Sequence, residues 1–247
     1  MSGKRVIFAA VAVGTAVGVG MTVTGCSAAP VDDRPVVRIA EAARPSPAIP
    51  LGGFLPTAQE LAAELGTGAA GLLGHPVEGG ADMLLDSVDE TQAAPADCVS
   101  AAYRLQDVVY DGSPVQSVAT NTWAGGGFDG PPVTGYFGIV QMSSAGAAQD
   151  FFATLADDWY RCNGQTLTRQ HPEELSRITD VALDGAIVSA SILHAAHGVA
   201  ASDGLRAVAV AADCIVEVEL TDPRATGDRG GAADVADLIV EKIAARR

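Results

Sequence analysis

Between Ala148 and Cys162 apolar side chains recur at steps of three and four: Ala148, Phe151, Phe152, Leu155, Trp159 and Cys162. That is the period of one helical face, while Asp150, Asp157, Asp158 and Arg161 fall off the stripe. Ser143 or Ser144 can cap the start and Asn163-Gly164 can stop the end, so Cys162 points toward a core. A second stripe, Val235, Leu238, Ile239 and Ile243, predicts a helix over 231–245. Lys242 falls within its arc and is expected to pack its stem while its ammonium reaches water. Asp234 near that helix's start and Arg246-Arg247 at its end suit the helix dipole. A third, shorter helix is predicted over 57–65. There Thr57-Ala58-Gln59-Glu60 reads as a capping box, Leu61 and Leu65 share a face, and Gly66 supplies a left-handed stop.

Elsewhere the period is two. Val118, Thr120, Thr122 and Trp123 lie in a run over 116–124, and Val133–Met142 carries Tyr136, Phe137, Ile139 and Val140. Val108-Val109-Tyr110 is strand-like by residue type, which suggests a three-run antiparallel meander. Gly125–Pro132 is a turn or loop by composition, as is most of 66–95, with room for one helical turn. After the central helix Leu167 begins a short run, and Ile187–His194 forms a second, with Ile187, Ser189, Ser191 and Leu193 on one face. Leu205–Ala211 and Cys214–Leu220 read as a hairpin across Ala212-Asp213. In its second strand Val216, Val218 and Leu220 face one way, and Glu217 and Glu219 the other.

The N-terminal pattern is different. Lys4 and Arg5 precede an uncharged, mostly apolar run of 18 residues, Val6 to Val23, followed by Gly25-Cys26. A basic start, an apolar middle and small residues before a cut have the form of a secretory signal peptide. Val23-Thr24-Gly25-Cys26 resembles the bacterial lipobox, which implies that Cys26 is acylated on sulfur and becomes the first residue after cleavage. The alternatives are a plain signal peptide or an uncleaved anchor; the run is barely long enough to span a bilayer. Residues 26–53 hold Pro30, Pro35, Pro45, Pro47 and Pro50, a composition that favours extended backbone. At about 3.1 Å per residue such a tether reaches roughly 80 Å. The expected organisation is therefore a signal peptide at 1–25, a lipidated tether at 26–53, and one α+β domain at 54–247.

Charge narrows the partners. The chain carries a net −15, and loss of Lys4 and Arg5 with the signal peptide takes it to −17. So acidic a surface argues against nucleic acid and against lying on anionic lipid. The expected partners are the cell membrane, through the anchor, and an unidentified small ligand or envelope protein. With Cys26 assigned to lipid, Cys98, Cys162 and Cys214 remain. An odd count in an oxidising compartment means one bridge and a free thiol, or an intermolecular bond.

No spacing points to catalysis or to a cofactor. The chain has no G-x-S-x-G, H-E-x-x-H, P-loop or EF-hand pattern. His194-x-x-His197 sits on a predicted strand, where odd spacing puts the rings on opposite faces, and His75 and His171 each precede Pro as loop residues do. Glu217 with Glu219, and Asp157 with Asp158, read as solvated faces. Ser189 and Ser191 have no evident His–Asp partners. The chain is expected not to be an enzyme.

The element order, Asp97-Cys98, Val108-Val109-Tyr110 and the Phe151-Phe152…Trp159-Tyr160-Arg161-Cys162 helix resemble the extracellular sensor domain of the mycobacterial PknH-type receptor kinases. That domain type also occurs alone in lipoproteins. The resemblance covers roughly residues 52–244. It implies an antiparallel sheet flanked by helices, a cleft for a ligand, and a Cys98–Cys162 disulfide. The second disulfide of the kinase domain has no counterpart, since Cys214 alone is left.

Overall fold

The computed structural model describes residues 49–66, 72–125, 133–170, 173–196, 199–222 and 231–247. All lie within one compact unit, Pro47–Arg247. The expected signal peptide and lipobox, and all but the last residues of the expected tether, lie outside the described residues, as do 126–132, His171 and His197.

The first described element begins at Leu51, three residues before the boundary expected at 54. Leu51 and Phe54 are buried in a 3-10 turn, Leu51–Phe54, against the sheet. Helix α1, Ala58–Glu64, follows with the predicted capping box at Thr57 and Glu60, and Gly66 takes φ +57° just beyond it. The loop-like stretch after it holds three very short strands: β1 (Leu72–Leu73), β2 (Val77–Gly79) and β3 (Ala93–Ala94).

The expected strand at 108–110 is instead helical. Two single turns, α2 (Val99–Ala102) and α3 (Asp107–Tyr110), flank a bent crossing at 103–106, in which Leu105 takes φ +48°. The strand propensity of Val-Val-Tyr is overridden by tertiary packing. Tyr110 is buried and stacks on Phe151 with ring centroids 4.7 Å apart.

Strands β4 (Val115–Gly125) and β5 (Val133–Met142) pair antiparallel as expected. Helix α4 spans Ala145–Cys162, capped by Ser144, whose Oγ accepts from the Ala147 N–H. Next come β6 (Thr166–Arg169) and β7 (Glu174–Asp184), the latter unanticipated. Its alternation breaks at a bulge between Thr179 and Ala182, with Asp180 at φ +55°. β8 (Ile187–Ala196) buries Val188, Ala190 and Ile192, the face opposite Ile187 and Leu193. β9 (Val199–Ala211) and β10 (Cys214–Thr221) form the predicted hairpin across Ala212-Asp213, and α5 (Ala232–Ala244) closes the fold.

Among the described residues ten strands join one antiparallel sheet, in the order β1-β4-β5-β10-β9-β8-β7-β6-β3, with β2 also on β4. Strand alternation divides the core into two layers. Val140, Val188, Val208 and Ile215 pack under α2 and α4. Ile139, Ala207, Ala209, Val216 and Val218 pack under α1 and α5. This is the α+β architecture expected, an antiparallel sheet with helices on both faces. Lys242 departs from expectation. Its ammonium does not end in water but donates to the Leu55 carbonyl at 2.8 Å and to Glu60 at 2.9 Å, tying α5 to α1.

The 103–106 crossing lies directly on the α4 face of the sheet. A Cβ on Gly138 would come within 2.8 Å of the Leu105 side chain, so the strand is bare there to admit it. Gly138→Ala is expected to cost about 1–3 kcal/mol, read as a lower urea midpoint at unchanged slope. An unchanged midpoint would mean that Leu105 does not pack against β5.

Candidate functional site

An open groove runs between α4 and the segment 96–114. Its main hollow, about 500 Å³, is lined by Ser100, Val109, Pro114, Phe151, Leu155, Asp150 and Asp158, among others. A second hollow of about 200 Å³ adds Asp97, Val99 and Val108 and shares Ser100, Val109 and Asp158 with the first. Helical spacing along α4 puts Asp150, Thr154 and Asp158 on its groove side, next to the apolar stripe that supplies Phe151 and Leu155. The opposite wall is held to α4 at two places. Cys98 and Cys162 are joined in a disulfide, and Tyr110 stacks on Phe151.

Beneath the groove lies a buried charge cluster. Glu217 on β10 is 4% exposed and Arg206 on β9 is 1% exposed, with Arg206 Nη2 donating to Glu217 Oε2 at 2.7 Å. The same carboxylate accepts from the Tyr110 hydroxyl at 2.6 Å and from the Leu105 N–H at 3.1 Å. Arg206 also donates to the Ser100 carbonyl and lies 5.7 Å from the centre of a Trp159 ring. Burial and the neighbouring carboxylate push the Tyr110 hydroxyl well above the usual phenol range, so it stays protonated and donates. The solvated-face reading of Glu217 is therefore overturned, because the 103–110 segment folds over that face. Glu219 is partly covered too, paired with Arg104 at 2.9 Å, and Arg104 lies 3.7 Å over the Tyr136 ring. One signal in the chain could have found this. A two-residue turn at 212–213 pairs Arg206 with Glu219 and sets it diagonal to Glu217.

Compared with known protein families, residues 46–246 match the PknH-like extracellular domain. The chain belongs to that family. The serine/threonine-protein kinases PknH of Mycobacterium tuberculosis and Mycobacterium bovis are each 27% identical over 164 residues, 64% of this chain. The chain spans only about a quarter of those kinases' length, 25% and 26% respectively. The crystal structure of the extracellular domain of PknH from Mycobacterium tuberculosis superposes with a TM-score of 0.62 at 22% identity, covering 77% of this chain and 93% of that one, which establishes the shared fold. Membership in an extracellular-domain family places this PknH-like domain outside the cytoplasm. Among the described residues no helix is long and apolar enough to cross a membrane.

A second polar cluster of this PknH-like domain draws Glu174 and Ser176 from β7, the strand whose broken alternation hides it in the sequence. Ser176 Oγ is 2.9 Å from His194 Nδ1, and Glu174 Oε1 is 3.0 Å from the same nitrogen. Tyr103 hydroxyl reaches Ser176 at 3.1 Å, and Arg169 pairs with Glu174. The residue types are those of a hydrolytic triad, but the geometry is not. A relay needs serine and carboxylate on opposite imidazole nitrogens, whereas here both meet Nδ1, and Ser176 is fully buried. The cluster pins the 103–106 crossing to the β7–β8 end of the sheet.

Asp157 is exposed, but its neighbour Asp158 is half-buried and lines the groove, against the expectation for the pair. Ser189 and Ser191 are half-buried on β8. Cys214 is a buried free thiol on the α5 side of the sheet, pushed up to about 12 by burial, with Arg247 working against the shift. Among the described residues no three His, Cys, Asp or Glu side chains converge as metal ligands do.

Proposed function

We propose that the chain is an envelope lipoprotein, anchored through Cys26, whose PknH-like extracellular domain binds a ligand and acts as a sensor module without chemistry of its own. The observation that carries this reading is the α4 groove standing over a buried ion pair. One wall, the 96–114 segment, hangs on Glu217 through Tyr110 and Leu105 and on Arg206 through Ser100. A ligand between the walls changes the spacing of groups that reach the middle of the sheet. In the PknH kinases the matching stretch is about a quarter of a much longer chain.

Carriage of a hydrophobic cargo is the second reading. The open groove, with carboxylates along it, suits a small or polar ligand better than an acyl chain. Two measurements test the proposal. Cys26→Ala should abolish incorporation of a labelled fatty acid and release the chain from the membrane fraction; continued labelling and retention would overturn the anchor. Ala147→Trp, which fills the groove, should remove a small ligand detected by native mass spectrometry of the full chain. A co-purifying acyl lipid unaffected by that substitution would favour carriage instead.

A further inference from the structure

The groove has a definite electrostatic character. Asp97, Asp150 and Asp158 line its two hollows, and no Lys, Arg or His is among the described residues that do so. An anionic ligand would meet three like charges. Asp158 is the most enclosed of the three. Burial lifts its carboxyl above the usual range, Arg161 opposes the shift, and Asp97 and Asp157 add to it. Arg161 is one turn along α4 with a side chain 62% exposed, so that pair is largely screened by water. Asp158 accepts from the Arg161 guanidinium through Oδ1 alone, and among the described residues lining the groove there is no Lys, Arg or His to meet its other oxygen.

A second observation is independent of the carboxylates. Ser100 is 8% exposed and lines both hollows, and its hydroxyl has no hydrogen-bond partner among the described residues. A buried hydroxyl without a partner costs roughly 1–3 kcal/mol, so a donor arriving there recovers part of that penalty. Around it the walls are hydrocarbon: Val109, Pro114, Phe151 and Leu155. The main hollow lies within the usual size range of small-molecule sites, about 300–1,000 Å³.

We propose that this groove binds a small organic amine, its ammonium group held at Asp158 and Ser100 and its apolar body against Val109, Phe151 and Leu155. The inference rests on the reading of the groove as the ligand site and assigns its ligand class. An alkylamine, like a lysine side chain with a pKa of about 10.4, is protonated at neutral pH and matches both halves of the site. A purely inorganic cation would leave the apolar wall unused, and a neutral alkane would leave the carboxylates uncompensated.

Hexylamine, 1-hexanol and hexanoate share one hydrocarbon chain and differ in charge. Titrated into the isotope-labelled full chain, hexylamine should give saturable amide shifts centred on Ser100, Val109, Phe151 and Asp158. Binding should weaken about fivefold to tenfold in Asp158→Asn and should fall as salt rises. Asp157→Asn, one residue away and outside the groove, should leave the affinity unchanged; circular dichroism confirms the fold of both variants. If hexanol or hexanoate binds the same residues as tightly, the amine assignment fails while the groove remains a ligand site. Equal weakening by Asp157→Asn would also overturn it, since nonspecific attraction to an acidic surface would then explain the binding. If none of the three shifts groove residues, the amine assignment fails; if Ala147→Trp also leaves native mass spectra unchanged, the groove reading fails with it.

Discussion

Glu217→Ala is expected to destabilise the domain by about 3–5 kcal/mol, more than any other single polar substitution considered for this fold. The magnitude follows from what stays behind. Arg206, 1% exposed, would keep its charge in the core with its carboxylate gone. The Tyr110 hydroxyl and the Leu105 N–H would each lose their acceptor. Glu217→Gln separates the two contributions. It retains an oxygen for one of those donors but removes the charge, so it should recover only part of the loss. The pair itself need not be net stabilising, because removing two charges from water costs several kcal/mol per ion. The double variant Glu217→Leu with Arg206→Met should therefore be far less destabilised than Glu217→Ala. Urea denaturation of the four proteins gives the numbers. A loss under about 1 kcal/mol in Glu217→Ala would show that water reaches Arg206 and that the crossing at 103–106 does not seal the cluster.

Loss of the Cys98–Cys162 bridge is expected to cost about 4 kcal/mol. The two cysteines are 64 residues apart. Closing a loop of that length removes chain entropy from the unfolded state roughly in proportion to its logarithm. In a domain of about this size the expected fall in melting temperature is roughly 10 °C. Cys98→Ser combined with Cys162→Ser tests it without strain from a remaining thiol. Non-reducing mass mapping of the full chain should find Cys98 joined to Cys162 and Cys214 unmodified; a Cys162–Cys214 link would sink the assignment. The bridge has a local role as well. It fastens the end of α4 to the start of the groove's other wall, so its loss should loosen ligand binding along with the fold.

Elements whose information is local were legible in the chain. The Thr57–Glu60 capping box, the α4 stripe, the 205–220 hairpin and the last helix each announce themselves within a few residues, and each is found close to where its pattern lies. The failures share a physical reason, which is that distant contacts decided them. Val108-Val109-Tyr110 prefers a strand in isolation but is curled by the stack on Phe151 and the bond to Glu217. β7 hides because its bulge at Thr179–Ala182 breaks the two-residue period. Glu217 alternates as a surface residue does, and nothing near it in sequence says that a segment more than 100 residues earlier lies on top. Lys242 likewise meets partners more than 180 residues away. The candidate site was thus visible only in part. Its α4 wall could be drawn from the stripe, but Ser100, the opposite wall and the Arg206–Glu217 floor required the fold.

The unpaired Cys214 gives this molecule a clock. Its sulfur is buried between sheet and α5, and a thiol pushed up to about 12 does not react while it stays there. An alkylating reagent can modify it only during moments when α5 or the hairpin end lifts away. The rate of capture in native buffer, followed as urea rises and with reagent concentrated enough to outpace reclosing, therefore counts those openings without any cysteine having to be engineered.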